Sequence, residues 1–225
     1  TVDDTDLTIT FPYVKYQNKD GQAGCDYTAP ITSVSLDISK KEPVVEPEKE
    51  VIQAKNVTLA KTSYTYNGKT QKPAVKVKNA KGKVLTSADY TVIYASGRKN
   101  VGSYTVTVKM KGNYSGSFTK TFRILPKGTK FTSVKAAKKS FTAKWSAQKT
   151  QTTGYQLQYT TDKKFKKSVK TVTTSKNTVV KTTVKKLAAK KTYYVRIRTY
   201  KTVKINGKNT KLYSGWTTAK KVKTK

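Results

Sequence analysis

The chain has 225 residues, with 47 Lys or Arg against 12 Asp or Glu, no His and one Cys, for a formal charge of +35. One Cys rules out an intrachain disulfide, and the lack of His rules out a Ser-His-Asp triad and zinc sites of the usual kind. No apolar run reaches the roughly 18 residues of a membrane-crossing helix, and abundant Tyr, Thr and Val without Ala, Leu and Glu at helical spacing give an all-β composition.

Residues 1–40 read as a β segment, the remnant of a preceding domain. The chain opens at Thr1-Val-Asp-Asp4 without a basic, apolar leader, as a mature fragment does. A strand with a Pro break is expected over 7–16, a turn at Asn18-Lys-Asp-Gly21, and an alternating strand over 31–38 with Val34, Leu36 and Ile38 on one side. Asp3, Asp4 and Asp6 read as a solvated acidic end, because the Gly turn and distal Glu of a calcium loop are missing. Cys25 has no His to act as its base, which argues against a nucleophile. Residues 41–52, rich in Pro, Glu and Lys, form a semi-extended linker.

Charge divides sharply near this linker. Residues 1–50 carry ten acids and five bases, a net of −5, whereas residues 51–225 carry 42 bases and two acids, Asp89 and Asp162, a net of +40. Such a field attracts polyanions: teichoic acids, acidic glycans, nucleic acid or anionic lipid. Lysines at outward positions also keep sheet edges from pairing. With no recognition helix or base-stacking motif, nucleic acid is expected only as a non-specific partner.

Residues 53–126 form a small sandwich, with strands predicted near 56–60, 73–78, 90–95, 103–110 and 117–125. Asn67-Gly68 is a hairpin signal, and further turns fall at 79–82, 97–100 and 111–114. Tyr104, Val106, Val108 and Met110 share one face. Asp89, before Tyr90-Thr-Val, suits a turn cap better than the carboxylate of a Lys–Asn isopeptide bond. The order Tyr66-Asn-Gly-Lys, Asp89-Tyr-Thr-Val, Asn100-Val-Gly-Ser-Tyr-Thr-Val-Thr-Val and Phe122-Arg-Ile resembles the bacterial immunoglobulin-like repeats of Gram-positive surface proteins.

Pro126-Lys-Gly-Thr129 is a short joint that allows little independent motion. In residues 127–225, strands are predicted near 131–136, 140–145, 154–160, 168–174, 178–186, 192–200 and 211–222, with a loop at 201–210 holding Asn206-Gly207 and Asn209. The run 191–200 alternates strictly: Tyr193, Val195, Ile197 and Thr199 on one side, Tyr194, Arg196, Arg198 and Tyr200 on the other. Phe141, Ala143 and Trp145, and Tyr155, Leu157 and Tyr159, supply two further inward sets, with Gln156 and Gln158 outward. Trp145, Gly154-Tyr-x-Leu-x-Tyr159, and Leu187 six residues before Tyr193 resemble the fibronectin type III family. That resemblance implies core roles for Trp145, Tyr155, Leu187 and Tyr193, with Tyr193 as a tyrosine corner whose hydroxyl bonds back to the backbone.

Trp216 is expected to lie over Arg196 and Arg198, with Tyr194 and Tyr200 on the same outer face. The set is either a cation–π ladder clamping two strands or a ligand-stacking face. With two carboxylates in separate units after residue 51, no phosphate-cradling loop and no cofactor motif, no catalytic, cofactor or metal site is expected. The paired modules resemble tails of secreted proteins from Clostridia-type bacteria. This implies an extracellular, secreted or wall-associated stalk whose basic surface meets anionic cell wall or glycan, or alternatively an adhesin or carbohydrate-binding accessory of a secreted hydrolase. A protein partner fits either reading, no membrane span is expected, and the fragment is expected to be monomeric.

Overall fold

The computed structural model describes residues 47–225, together with the backbone of 16–17 and 23–24. The chain divides into two compact units, 1–46 and 47–225. Within the first, β1 (Tyr16–Gln17) pairs antiparallel with β2 (Ala23–Gly24). The other readings made for residues 1–40, Cys25 included, lie outside the described residues.

The second unit contains two β-layered cores. In the first, β5 (Ser63–Thr65), β7 (Tyr90–Tyr94), β8 (Gly102–Met110) and β10 (Ser117–Leu125) form one sheet in the order β5-β10-β8-β7. Against it lie β4 (Val57–Leu59) with β6 (Val75–Val77), and β3 (Glu50–Val51) with β9 (Tyr114–Ser115). Alternation sends Val106, Val108, Phe122 and Ile124 inward against Val57 and Val77, and all are buried. Phe122 anchors this core, edge-on to Tyr64 at 5.7 Å and tilted against Tyr104.

Two sequence expectations fail here. Asn67-Gly68 does not turn a hairpin: β5 pairs in parallel with β10, whereas β6 pairs antiparallel with β4. Instead Asn67 Oδ1 accepts the Lys69 amide at 2.9 Å and Gln71 Nε2 at 2.8 Å, which folds the connection between β5 and β6 into an Asx turn. The strand Ser63–Thr65 itself is absent from the predicted set, because one inward residue, Tyr64, is too short a pattern to show alternation. Asp89 does cap its turn, Oδ2 accepting both the amide (2.8 Å) and the hydroxyl (3.1 Å) of Thr86.

In the second core, β11 (Phe131–Ala137), β12 (Ser140–Trp145) and β15 (Lys181–Val184) make one sheet. β13 (Gly154–Thr160), β14 (Lys170–Thr174), β16 (Thr192–Ile205) and β17 (Lys208–Tyr213) make the other, with β18 (Lys220–Lys223) also on β16. Phe141, Ala143, Trp145, Tyr155, Leu157, Val195 and Ile197 fill the space between. Trp145 is 3% exposed and meets Tyr155 at 5.4 Å. Leu187 and Tyr193 close one end, where the Ala188 amide donates to the Tyr193 hydroxyl at 3.2 Å. No helix among the described residues is long and apolar enough to cross a membrane.

The loop expected at 201–210 is not a loop. β16 continues to Ile205, and only Asn206 and Gly207, both at positive φ (50° and 77°), separate it from β17. Positive φ at both central positions is the type I′ geometry that matches strand twist. The strand expected over 211–222 is likewise broken into β17 and β18, with residues 214–219 between them.

Gly154 faces Tyr200 across β13 and β16. A Cβ there would run into the Thr174 carbonyl oxygen and come within 3.1 Å of the Tyr200 ring. Because the first obstacle is backbone, Gly154→Ala is expected to destabilise the second core by about 1–3 kcal/mol. Gly215→Ala, which meets nothing within 4 Å, is expected to be near neutral. Urea unfolding of the two variants checks this.

Candidate functional site

The outward face of β16 carries Arg196 and Arg198, opposite Gln158 and Gln156 of β13 in antiparallel register. Each guanidinium is pinned by one amide oxygen. Arg196 Nε and Nη2 donate to Gln158 Oε1 at 3.0 and 2.7 Å, and Arg198 Nε and Nη2 to Gln156 Oε1 at 2.8 and 2.5 Å. The charged edge is thus satisfied in the sheet plane, and the flat faces are left for aromatic rings.

Segment 214–219 supplies the central ring. After β17, the chain bulges away from β16 but stays latched to it. Ser214 N donates to Thr199 O while Ser214 Oγ accepts Thr199 N at 3.0 Å; Thr217 N donates to Ile197 O while Thr217 Oγ1 accepts Ile197 N at 3.1 Å. Side-chain oxygens replace the missing ladder carbonyls, so Gly215 and Trp216 can leave the sheet without orphaning β16 amides. The Trp216 ring centre lies 4.4 Å from Arg196 Cζ and 4.2 Å from Arg198 Cζ. The indole thus contacts both guanidiniums.

Phe165 and Tyr213 complete the stack. Phe165 lies 4.1 Å from Arg196 Cζ and Tyr213 3.7 Å from Arg198 Cζ. Phe165 sits at φ 55°, in a loop gathered by Asp162. Asp162 Oδ1 accepts the Lys164 amide, and Oδ2 the amides of Lys166 and Lys167, at 2.9, 2.7 and 3.1 Å. Those bonds, from Lys164 and Lys166 first, hold its pKa below the ordinary aspartate value. Burial lowers the pKa of both guanidiniums, but arginine at this level keeps its proton.

The order is Phe165, Arg196, Trp216, Arg198, Tyr213. Tyr194, expected in this set, is not part of it: it pairs with Thr160 and Lys221 across the sheet, and the end position is taken by Phe165 from the 161–168 loop. Tyr200 is buried at 2% exposure, its hydroxyl donating to Thr174 O at 3.1 Å and its ring 6.0 Å from Tyr213. Gln156 and Gln158 could be read from the sequence only as outward residues; register makes them clamps. Trp216 contacts both guanidiniums, the arrangement of a cation–π ladder. Among the described residues no group of three His, Cys, Asp or Glu is placed to hold a metal ion.

This sandwich, with Tyr193 of β16 bonded to the connection before it, has a family counterpart. Residues 126–212 match the fibronectin type III domain family. β18 lies beyond the matched residues and still completes the sheet on β16. Among solved structures, the chicken CNTN1 FN1-FN3 domains are 14% identical over 79% of this chain and 68% of theirs, at a TM-score of 0.38. A two fibronectin type III domain segment from chicken tenascin is 21% identical over 57% and 68%, at a TM-score of 0.37. No curated protein matches the chain significantly.

Ser214→Ala leaves the buried Thr199 amide without its acceptor and is expected to cost about 1–3 kcal/mol in urea unfolding. It is also expected to loosen Trp216, read as a red shift of tryptophan emission. A blue-shifted or unchanged spectrum with wild-type stability would show that the bulge does not depend on this latch.

Acidification tests the Asp162 loop. Its carboxyl is held below the ordinary value in the folded chain, so the stability it contributes is present above the unfolded pKa and is lost as pH falls through the folded one. Below about pH 4, the Lys166 and Lys167 amides are expected to lose exchange protection relative to β16. Asp162→Asn is expected to show that reduced protection at neutral pH, and hydrogen exchange followed by NMR reads both.

Proposed function

We propose that residues 47–225 are a non-catalytic extracellular spacer of a bacterial surface or secreted protein. In this reading an immunoglobulin-like unit at 53–126 precedes a fibronectin type III unit at 127–225, and their lysine-covered faces associate with anionic cell-wall polymer or glycan. The observation that carries the reading is the Arg–Trp ladder. Phe165, Trp216 and Tyr213 are committed to clamping β16, which is what a stiff spacer needs and a sugar-stacking platform does not.

The joint between the cores supports the same reading. Pro126 is buried, Thr199 Oγ1 donates to Lys127 O at 2.8 Å, and Thr129 Oγ1 donates to Ser146 O at 2.6 Å. Gln151 reaches back to the first core, accepting the Val101 amide and donating to Asn100 Oδ1, each at 3.2 Å. Charge supports the partner class: residues 51–225 carry 42 bases and two acids, which draws polyanions with a steep salt dependence.

Sedimentation with purified Gram-positive cell walls, with and without teichoic acid, across a salt series, tests this. Binding is expected at low salt, to fall steeply as salt rises, and to vanish when teichoic acid is removed. No binding at low salt would overturn the electrostatic association. Binding that survives both high salt and teichoic acid removal would replace it with the adhesin or carbohydrate-binding reading.

A further inference from the structure

The joint opens on one side into a cleft of about 940 Å³, within the size range of small-ligand sites. Its two walls come from different cores. One is β5 and the connection after it, with Tyr64, Tyr66, Asn67 and Gln71; the other is the joint and the loop after β12, with Lys127, Gln148 and Thr150. Lys61 also lines it, on the first wall. Every charged group in this lining is cationic.

Both walls are set in place by bonds that leave functional groups facing the cleft free. Tyr66 N donates to Leu125 O, Gln71 N to Arg98 O, and Asn67 Oδ1 gathers Lys69 and Gln71. On the other side, the Gln148 amide donates to the Tyr155 hydroxyl at 2.7 Å, and that hydroxyl donates to Asn177 O at 2.9 Å. Burial pushes the Tyr155 phenol above its ordinary pKa, so it stays neutral and keeps both bonds. Asn177 Nδ2 then ties Lys149 O and Thr152 O, closing the 146–152 loop. Gln151 ties that loop to Asn100 and Val101 of the first core, so the separation of the walls is set as well.

The groups left over have a common chemistry. Among the described residues, the Tyr64 and Tyr66 hydroxyls, the Gln148 carboxamide and the Lys127 ammonium bond no protein group. Lys61 Nζ sits 4.9 Å over the Tyr64 ring, and no cation covers the Tyr66 ring. A half-exposed tyrosine ring in the lining, amide and hydroxyl groups able to donate and accept, and an ammonium from each wall fit a sugar ring carrying an acid.

We propose that this inter-core cleft binds an acidic oligosaccharide. In it Tyr66 takes the C–H face of one sugar, Gln148 and Thr150 take hydroxyls, and Lys61 and Lys127 take the acid group from either side. The proposal rests on the anionic-glycan reading above and narrows it from a diffuse surface to one place.

The test is ¹⁵N-resolved NMR titration of the full chain at physiological salt. The probes are a galacturonic acid hexamer, a neutral glucose hexamer and inorganic phosphate. Shifts confined to residues near 61–71, 127 and 148–150, with the uronate alone, are expected. Lys61→Met with Lys127→Met is expected to weaken uronate binding by about tenfold. Lys144→Met with Lys181→Met, an exposed cross-strand pair removing the same charge, is expected to change it less than about twofold. Tyr66→Ser, at a half-buried position, is expected to weaken binding while the spectrum stays folded.

Equal loss in the two lysine pairs, or shifts spread over both cores, would overturn the cleft while leaving wall association standing. Equal binding of the neutral hexamer would overturn the role of the lysines, and an equal response to phosphate alone would overturn the sugar. No response to any probe would overturn the site even if the chain still sediments with cell walls.

Discussion

The antiparallel register of β13 against β16 is the constraint on which the rest of the second core depends. It sets Leu157 beside Ile197 on the inner face and, by the same period of two, Gln156 beside Arg198 and Gln158 beside Arg196 on the outer one. A slip of one residue would put guanidiniums into the core and apolar side chains into water. The ladder thus stands on a registration already required by burial. Its five stacked groups, each cation–π contact contributing about 0.5–1 kcal/mol at exposed sites, then tie two outlying segments to the sheet.

Those segments are held by a shared device. A turn residue offers a side-chain oxygen to backbone amides that the sheet cannot satisfy. Ser214 and Thr217 do so for β16 itself, and Asp162 for the loop that presents Phe165. Asn67 does it in the first core. In a chain with few acids in its described part, hydroxyls and amides perform most of the capping that carboxylates perform elsewhere. Repulsion among the lysines is relieved by placing them outward, in high dielectric, where salt screens them.

Polar bonds tie the two cores: Gln151 reaches Asn100 and Val101 across them, while Thr199 to Lys127 and Thr129 to Ser146 dock the joint on the second core, and each bond is directional. A joint made this way fixes orientation without fusing the cores, and it leaves the concave side lined by Tyr, amide and Lys side chains. The cleft is a consequence of how the units are joined, and neither core contains it alone.

Alternation of apolar and polar residues was enough to decide the all-β class, the positions of most long strands and the inward sets of β12, β13 and β16, because burial of one sheet face imposes a period of two. The same pattern put Arg196 and Arg198 on an outer face, and the resemblance to fibronectin type III domains, whose last two strands pair, put Trp216 over them. Alternation could not name Gln156, Gln158, Phe165 or Tyr213, since the partner of an outward residue depends on register and on where a loop returns. It also misplaced Tyr194, which shares the parity but not the stack, and took Asn67-Gly68 for a hairpin when the flanking strands belong to different pairings. Local chemistry determines which residues face inward and where the chain turns. Which outward residues meet, and what lies between two cores, is decided by tertiary structure, because those contacts join parts of the chain that sequence distance does not relate.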